Sequence, residues 1–365
     1  MAYPVTVIQT NVDAGDVDSN RHNILLLVAS AVTRGSKLIV LPEACVSDLY
    51  RDAALFAETI PGPSTELVQR AAGDATVALP LLEKAPDGKI YSACAFIDKH
   101  GVKGVARKTH LFRDAHGHDS YRDAEILTPG SELSIIDLDN GAVRIGVLLG
   151  FDAEFPEAFR TLALRGADLI VVALNQINPD ANFLSAMALR NRVPLLVANR
   201  IGFRKVYPGV PEFSALTMAL VQDKDGSFLA RCRGGSVIVD ADGRPLAEPS
   251  QNVQRDLETL AGAPPQAIIP IAHFQQDELL HASFRIDDIR IQRLTSPFIA
   301  ERREELYHTT VPSISKPVVT EVAPPVVSVD PAVPVAAVES PAPTATEPIE
   351  KPKKKRAPRK PKAKA

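Results

Sequence analysis

A chain of 365 residues is long enough for one large domain or two ordinary ones, and a hydrophobic content of 45% supports a substantial core. No run of about 18 apolar residues exists to cross a bilayer, and three scattered cysteines (Cys45, Cys94, Cys232) without a Cys-x-x-Cys pair argue against a disulfide framework. The net charge of −3 hides an asymmetry: residues 351–365 hold seven Lys, two Arg and no acid, so setting those nine charges aside leaves −12 on residues 1–350.

The chain starts Met-Ala-Tyr-Pro-Val-Thr-Val-Ile, without the charged region and apolar run of a signal peptide, and a reducing cytoplasm is expected. Val5–Ile8 reads as a strand. Asp18 or Ser19 is placed to cap a helix whose apolar face is Ile24, Leu27, Val28, Ala31 and Val32, at spacings of three and four. Gly35 ends it. Lys37–Leu41 is a buried strand running into Pro42-Glu43. The pattern recurs as strand Val143–Leu149, helix Phe155–Arg165 ended by Gly166, and strand Leu169–Ala173. It recurs again as helix Ala181–Arg192 and strand Leu195–Ala198. Gly235–Val239, the turn Asp240-Ala-Asp-Gly243 and Arg244–Ala247 read as a hairpin. Strands alternating with helices predict a layered α/β protein.

Composition changes near residue 312. Residues 1–311 form the expected domain. Residues 312–350, rich in Pro, Val, Ala, Thr and Glu, carry too little bulky apolar surface to fold and read as a disordered linker. The basic Lys/Arg/Pro tail of residues 351–365 follows. Such a tail suits nucleic acid or another polyanion, an anionic membrane surface, an acidic partner, or a solubilising role.

Three segments carry candidate chemistry. Leu38-Ile-Val-Leu-Pro-Glu43 puts an acid at the exit of a buried strand, and Arg107-Lys108-Thr-His110 offers a lysine. Arg144-Ile-Gly-Val-Leu-Leu-Gly150-Phe-Asp152 reads as a strand followed by a sharp turn into a helix, the geometry that exposes a nucleophile. A Glu, a Lys and a Cys on three elements form a working set: the Glu takes a thiol proton, the thiolate attacks a carbonyl or nitrile carbon, and the Lys stabilises the developing charge. Here the third position is Gly150, which has no side chain.

These segments resemble those of the nitrilase, or carbon–nitrogen hydrolase, superfamily. Leu-Pro-Glu43 resembles its base segment, Lys108-Thr-His-Leu-Phe112 its lysine segment, and Gly150-Phe-Asp-Ala-Glu-Phe-Pro-Glu157 its nucleophile elbow, Cys-Tyr-Asp-x-x-Phe-Pro-Glu. Leu162–Asp168, Val197-Ala-Asn-Arg-Ile-Gly202, Gly235–Gly243 and Arg302–Tyr307 resemble later segments in the same order. The resemblance implies a four-layer α-β-β-α sandwich, a homodimer or higher homo-oligomer, hydrolysis of amides, nitriles or ureas, and no metal or organic cofactor. By the same resemblance Glu43 matches the general base, Lys108 the oxyanion lysine and Gly150 the place of the nucleophile, with Phe151 and Asp152 beside it as binding residues. The second family glutamate falls on Asp123, one methylene shorter, with Glu125 as the alternative.

The expected function is a pseudoenzyme that binds a small amide-, nitrile- or carboxylate-like ligand, or a partner, in a pocket enlarged by one side chain. Two alternatives stand beside it. One is an active hydrolase using water or a relocated nucleophile, with Cys45 facing the same way as Glu43 if the chain stays extended, although Cys45 reads first as a small buried side chain. The other is a dimeric scaffold acting through its basic tail. Cys94 reads as a strand core residue and Cys232 as a residue of a polar stretch. His110, His116 and His118 offer metal-ligand types, but short His-Gly-His runs are usually solvated and no metal is expected. Residues 203–234 are longer than the expected link and read as an added loop, with a hairpin around Asp223–Gly226.

Overall fold

The first strand, β1 (Ala2–Asn11), runs longer than its apolar stretch predicts, because β15 (Glu278–Arg285) pairs along it from Ala2 to Gln9. The computed structural model describes residues 2–50, 52–112, 123–177, 179–206, 221–222, 228–249 and 276–307. The His116–Asp119 run, the Asp223–Gly226 turn, the linker and the basic tail lie outside them.

Helix α1 (Val17–Thr33) follows β1. It begins one or two residues before the expected cap, because the Asp16 side chain accepts from Ser19 N at 3.1 Å, a cap worth about 1 kcal/mol. Its buried face is Ile24, Val28 and Ala31, as the spacing predicts. Strand β2 (Leu38–Val40), helix α2 (Pro63–Ala71) and strands β3 (Thr76–Lys84), β4 (Ile90–Asp98) and β5 (Gly101–Arg107) complete the first half. Among the described residues, one sheet runs β11-β12-β10-β1-β2-β3-β4-β5, with β15 also on β1. Here β10 is Arg200–Val206, β11 Val221–Gln222 and β12 Phe228–Arg233.

After a single turn, α3 (Asp123–Ile126), the second sheet begins with β6 (Ile135–Leu138) and β7 (Val143–Leu149). Helix α4 (Pro156–Leu164), β8 (Leu169–Ala173), α5 (Ala181–Asn191), β9 (Leu195–Ala198), β13 (Val237–Val239) and β14 (Pro245–Ala247) follow, and the order is β14-β13-β9-β8-β7-β6. Strands β7, β8 and β9 are parallel and their bounds agree with the sequence reading. Helices α6 (Ile286–Leu294) and α7 (Pro297–Ala300) close this unit of residues 1–304.

Alternation along the strands explains the layers. Val5, Val7, Leu38 and Val40 face Ile145, Val147, Leu149, Leu169 and Val171 in a core between the sheets. Their neighbours Ile8, Ile39 and Leu41 face Ile24, Val28 and Val68 of α1 and α2. On the far side Leu148, Ile170 and Val172 face Phe159, Leu162 and Leu184 of α4 and α5. The result is a four-layer α-β-β-α sandwich. Gly146 is needed in β7, since a Cβ there would lie 3.1 Å from Leu162 and 3.2 Å from Ala167. No helix among the described residues is long and apolar enough to cross a membrane.

Candidate active site

Three strands deliver the predicted residues to one place. Glu43 follows β2, Lys108 follows β5, and Gly150 follows β7 of the other sheet. Backbone bonds fix the first two: Glu43 N donates to Leu174 O at 3.1 Å and Lys108 N to Ser92 O at 2.9 Å. The Lys108 ammonium donates to Glu43 Oε1 at 3.1 Å and to Asp123 Oδ2. Ser92 Oγ donates to the same Glu43 oxygen at 3.0 Å. All three charged residues are sealed from solvent, Glu43 and Asp123 at 2% exposure and Lys108 at 3%. Of the two acids that compete in the sequence, Asp123 turns inward, and Glu125, on the other side of the α3 turn, is exposed.

Electrostatics follow from this burial. Desolvation pushes the Glu43 carboxyl above its ordinary range; Lys108 pulls it back and Asp123 pushes it up again. Burial works against the Lys108 charge, yet Glu43 and Asp123 outweigh it and hold the ammonium above the usual lysine range. One ammonium thus faces two carboxyl groups.

Gly150 has φ +48°, in the left-handed region that favours glycine. A Cβ built on it would lie inside van der Waals contact with Glu43 Oε2, 2.7 Å from Lys108 Nζ and 2.9 Å from Glu43 Cδ. The expected enlargement of the pocket is therefore absent. Glu43 and Lys108 already stand where a side chain would begin. Glu43 Oε2 has no donor among the described residues, and Lys108 has no acceptor there beyond Glu43 and Asp123.

Asp152 joins the elbow to the lysine segment. It accepts from Thr109 Oγ1 at 2.7 Å, His110 N at 2.7 Å, Thr109 N at 3.1 Å and Leu149 N at 3.2 Å. Those bonds hold the backbone that follows Lys108 against the elbow. Phe151 belongs to a half-buried aromatic ladder. Its ring meets Phe112 edge-on at 5.3 Å and Phe155 at 5.2 Å, and His110 stacks on Phe155 at 4.1 Å.

Cys45 does not face the site with Glu43. The chain is not extended between them: Ala44 sits at φ +51°, which turns Cys45 into the outer core. Its thiol donates to Pro80 O at 3.2 Å, and burial pushes it far above the ordinary thiol range. Cys94 lies in the inter-sheet core as expected. Cys232, by contrast, is buried in β12 opposite Gly202, because that polar stretch packs as an inner strand. Among the described residues no group of three or more His, Cys, Asp or Glu is placed to hold a metal ion.

Sequence reasoning missed two features. Ser92 is a polar residue within the apolar run of residues 90–97, which is a usable signal. Arg200 gave none, yet it is fully buried, with Nη1 2.6 Å from Asp48 Oδ2 and Nη2 donating to Val12 O and Phe203 O. Asn175 Nδ2 donates to Asp48 Oδ1 at 2.8 Å. This buried group ties β10 and the end of β8 to the loop that carries Glu43.

Comparison with known proteins bears on the same geometry. Residues 4–259 match the family profile described as carbon-nitrogen hydrolase. The chain is 31% identical over 205 residues to a nitrilase from Pyrococcus abyssi, covering 54% of this chain and 75% of that one. It is 30% identical over 191 residues to an omega-amidase from Xenopus laevis, covering 49% and 68%. A member of branch 10 of the nitrilase superfamily from Saccharomyces cerevisiae superposes with a TM-score of 0.60 at 19% identity, over 83% of this chain and 97% of that one. An amidase from Nesterenkonia sp. superposes with a TM-score of 0.57 at 20% identity, over 84% and 95%. At these identities the two structures attest the fold.

Proposed function

Since the chain belongs to the carbon–nitrogen hydrolase family, we propose that it is a member without the thiol, one that holds a small primary amide and does not cleave it. One observation carries this reading: an acceptor and a donor that are free among the described residues converge beside Gly150. Glu43 Oε2 and Lys108 Nζ both crowd the point where a side chain would start. An ammonium has three donors, and two of those on Lys108 are engaged by Glu43 and Asp123. A primary amide offers one acceptor oxygen and an NH2 donor, so it meets both groups. A carboxylate offers acceptors alone and opposes Glu43. A nitrile offers no donor.

The missing thiol dominates the kinetics. Loss of the nucleophile from a cooperating set costs a serine protease roughly 10⁶ in turnover, about 8 kcal/mol of barrier. Glu43 Oε2 also suits the orientation of a water for direct attack, the second reading, which needs no sulfur. Ammonia release from acetamide, acetonitrile and urea separates the two. The expected rate equals that of the Glu43→Gln variant; turnover above that background overturns the proposal. Acetamide should also raise Tm, by mass action on the folded state, while acetate should not. A homo-oligomeric state belongs to the same proposal and is read by light scattering.

A further inference from the structure

We propose that the amide taken by this site carries an aromatic or bulky apolar substituent, laid on the Phe112–Phe151–Phe155 ladder. This rests on the amide reading of the Glu43–Lys108 pair and names the class of ligand.

The ladder is tied to the polar cluster at two points. Phe151 is the residue after Gly150, and Phe112 N donates to Asp123 Oδ2 at 3.5 Å. The two rings meet edge-to-face, at 5.3 Å and 83°. Phe155 continues the row at 5.2 Å and 82°, and His110 ends it with a stacked ring. None of these four is in the sealed core; each is half-buried. Four rings in edge and stacked contact stay half-buried beside a polar centre, with Phe155 also packed against the core under α4 and α5. A ligand that buries the rest of these rings gains from both area and ring geometry.

Charge argues in the same direction. The ammonium of Lys108 is matched by Glu43 and Asp123, so it has no charge to spare for an anion. Asp152 cannot serve as a polar anchor for a substituent, because its oxygens already accept from Thr109, His110 and Leu149. An amide whose other end is a carboxylate would meet excess negative charge and apolar rings. An amide whose other end is a ring would meet neither penalty.

The experiment titrates the full chain with acetamide, phenylacetamide and succinamate by calorimetry or ligand-observed NMR. Phenylacetamide should bind about tenfold more tightly than acetamide, ~1.4 kcal/mol, and succinamate no more tightly than acetamide. In Phe112→Ala the ratio of phenylacetamide to acetamide affinity should fall to within about threefold. Phe151→Leu, which keeps apolar volume but loses the ring, should lower the ratio less and guards against a variant that fails to fold. Equal binding of acetamide and phenylacetamide overturns the ladder assignment and leaves the amide reading standing. Preferential binding of succinamate overturns the ladder assignment as well. Absence of binding by all three to the folded protein overturns both.

Discussion

Placing a side chain at position 150 should destabilise the fold through Glu43, and the size of the effect follows from the geometry. In Gly150→Ala the backbone holds φ at +48°, a left-handed conformation that costs an alanine about 1–2 kcal/mol. The new Cβ collides with Glu43 Oε2 and lies 2.9 Å from Cδ and 2.7 Å from Lys108 Nζ. Glu43 must withdraw, and its bonds from Lys108 (3.1 Å) and Ser92 (3.0 Å) weaken in a buried site. Hydrogen bonds to charged groups are worth about 1.5–3 kcal/mol, so the expected total is about 3–5 kcal/mol. The assay is a double-mutant cycle in urea with Glu43→Ala. Without the carboxylate, Gly150→Ala should cost only the backbone part, leaving a coupling of about 2 kcal/mol. Additivity within about 0.5 kcal/mol would mean that Glu43 does not occupy the space beside Gly150, and the closed site would be wrong.

Three further outcomes are expected. His281 accepts from Arg34 at 2.7 Å through Nε2, with Nδ1 on Thr6 Oγ1 at 2.7 Å, and burial followed by the Arg34 charge lowers its pKa below the ordinary 6.5. The unfolded chain then binds more protons in the window below 6.5, so stability rises with pH through that window and is lost as pH falls through the folded value; urea midpoints at pH 5 and 7.5 should differ less in His281→Gln. Asp168 is fully buried and receives Arg290, itself part-exposed, through two bonds of 2.8 and 2.7 Å, so Asp168→Asn should cost about 1.5–3 kcal/mol by weakening the charge-assisted bonds that anchor α6; an unchanged unfolding midpoint would refute the anchor. Residues 351–365, with nine positive charges and no acid, should bind duplex DNA in a salt-dependent way; loss of residues 351–365 should abolish binding seen by fluorescence anisotropy at low salt, and binding retained by the shortened chain would assign it elsewhere.

Strand bounds were legible where apolar runs are continuous and buried on both faces, as in β7, β8 and β9. They were less legible where pairing extends a strand past its apolar run, as β15 does for β1. Glu43 was readable at the exit of a buried strand, whereas Lys108 and Asp123 were singled out through the resemblance of their segments to a known family, since β5 is only partly buried and carries no such signal. Arg200 was not, since an arginine after Asn199 reads as surface, and only the fold reveals the Asp48 carboxylate that accompanies it inside. Cys45 is the small buried side chain that its sequence context suggests, and the alternative that aims it beside Glu43 fails for a local reason: one left-handed residue, Ala44, breaks the two-residue alternation.

The same distinction applies at Gly150. A sequence can report that a side chain is missing, and subtraction then suggests a larger pocket. Yet a buried ion cluster is not a rigid wall. Glu43 and Lys108 are long side chains, and an unmatched space beside them is filled by whichever group gains a contact. Here the carboxylate and the ammonium lie against the Gly150 backbone, where a Cβ would crowd both. A ligand of this site therefore has to draw Glu43 Oε2 and the third N–H of Lys108 toward itself. Only a molecule with a donor and an acceptor side by side replaces both contacts at once. On the proposed reading, that requirement favours a primary amide over an anion of similar size, which two carboxylates around one ammonium also disfavour.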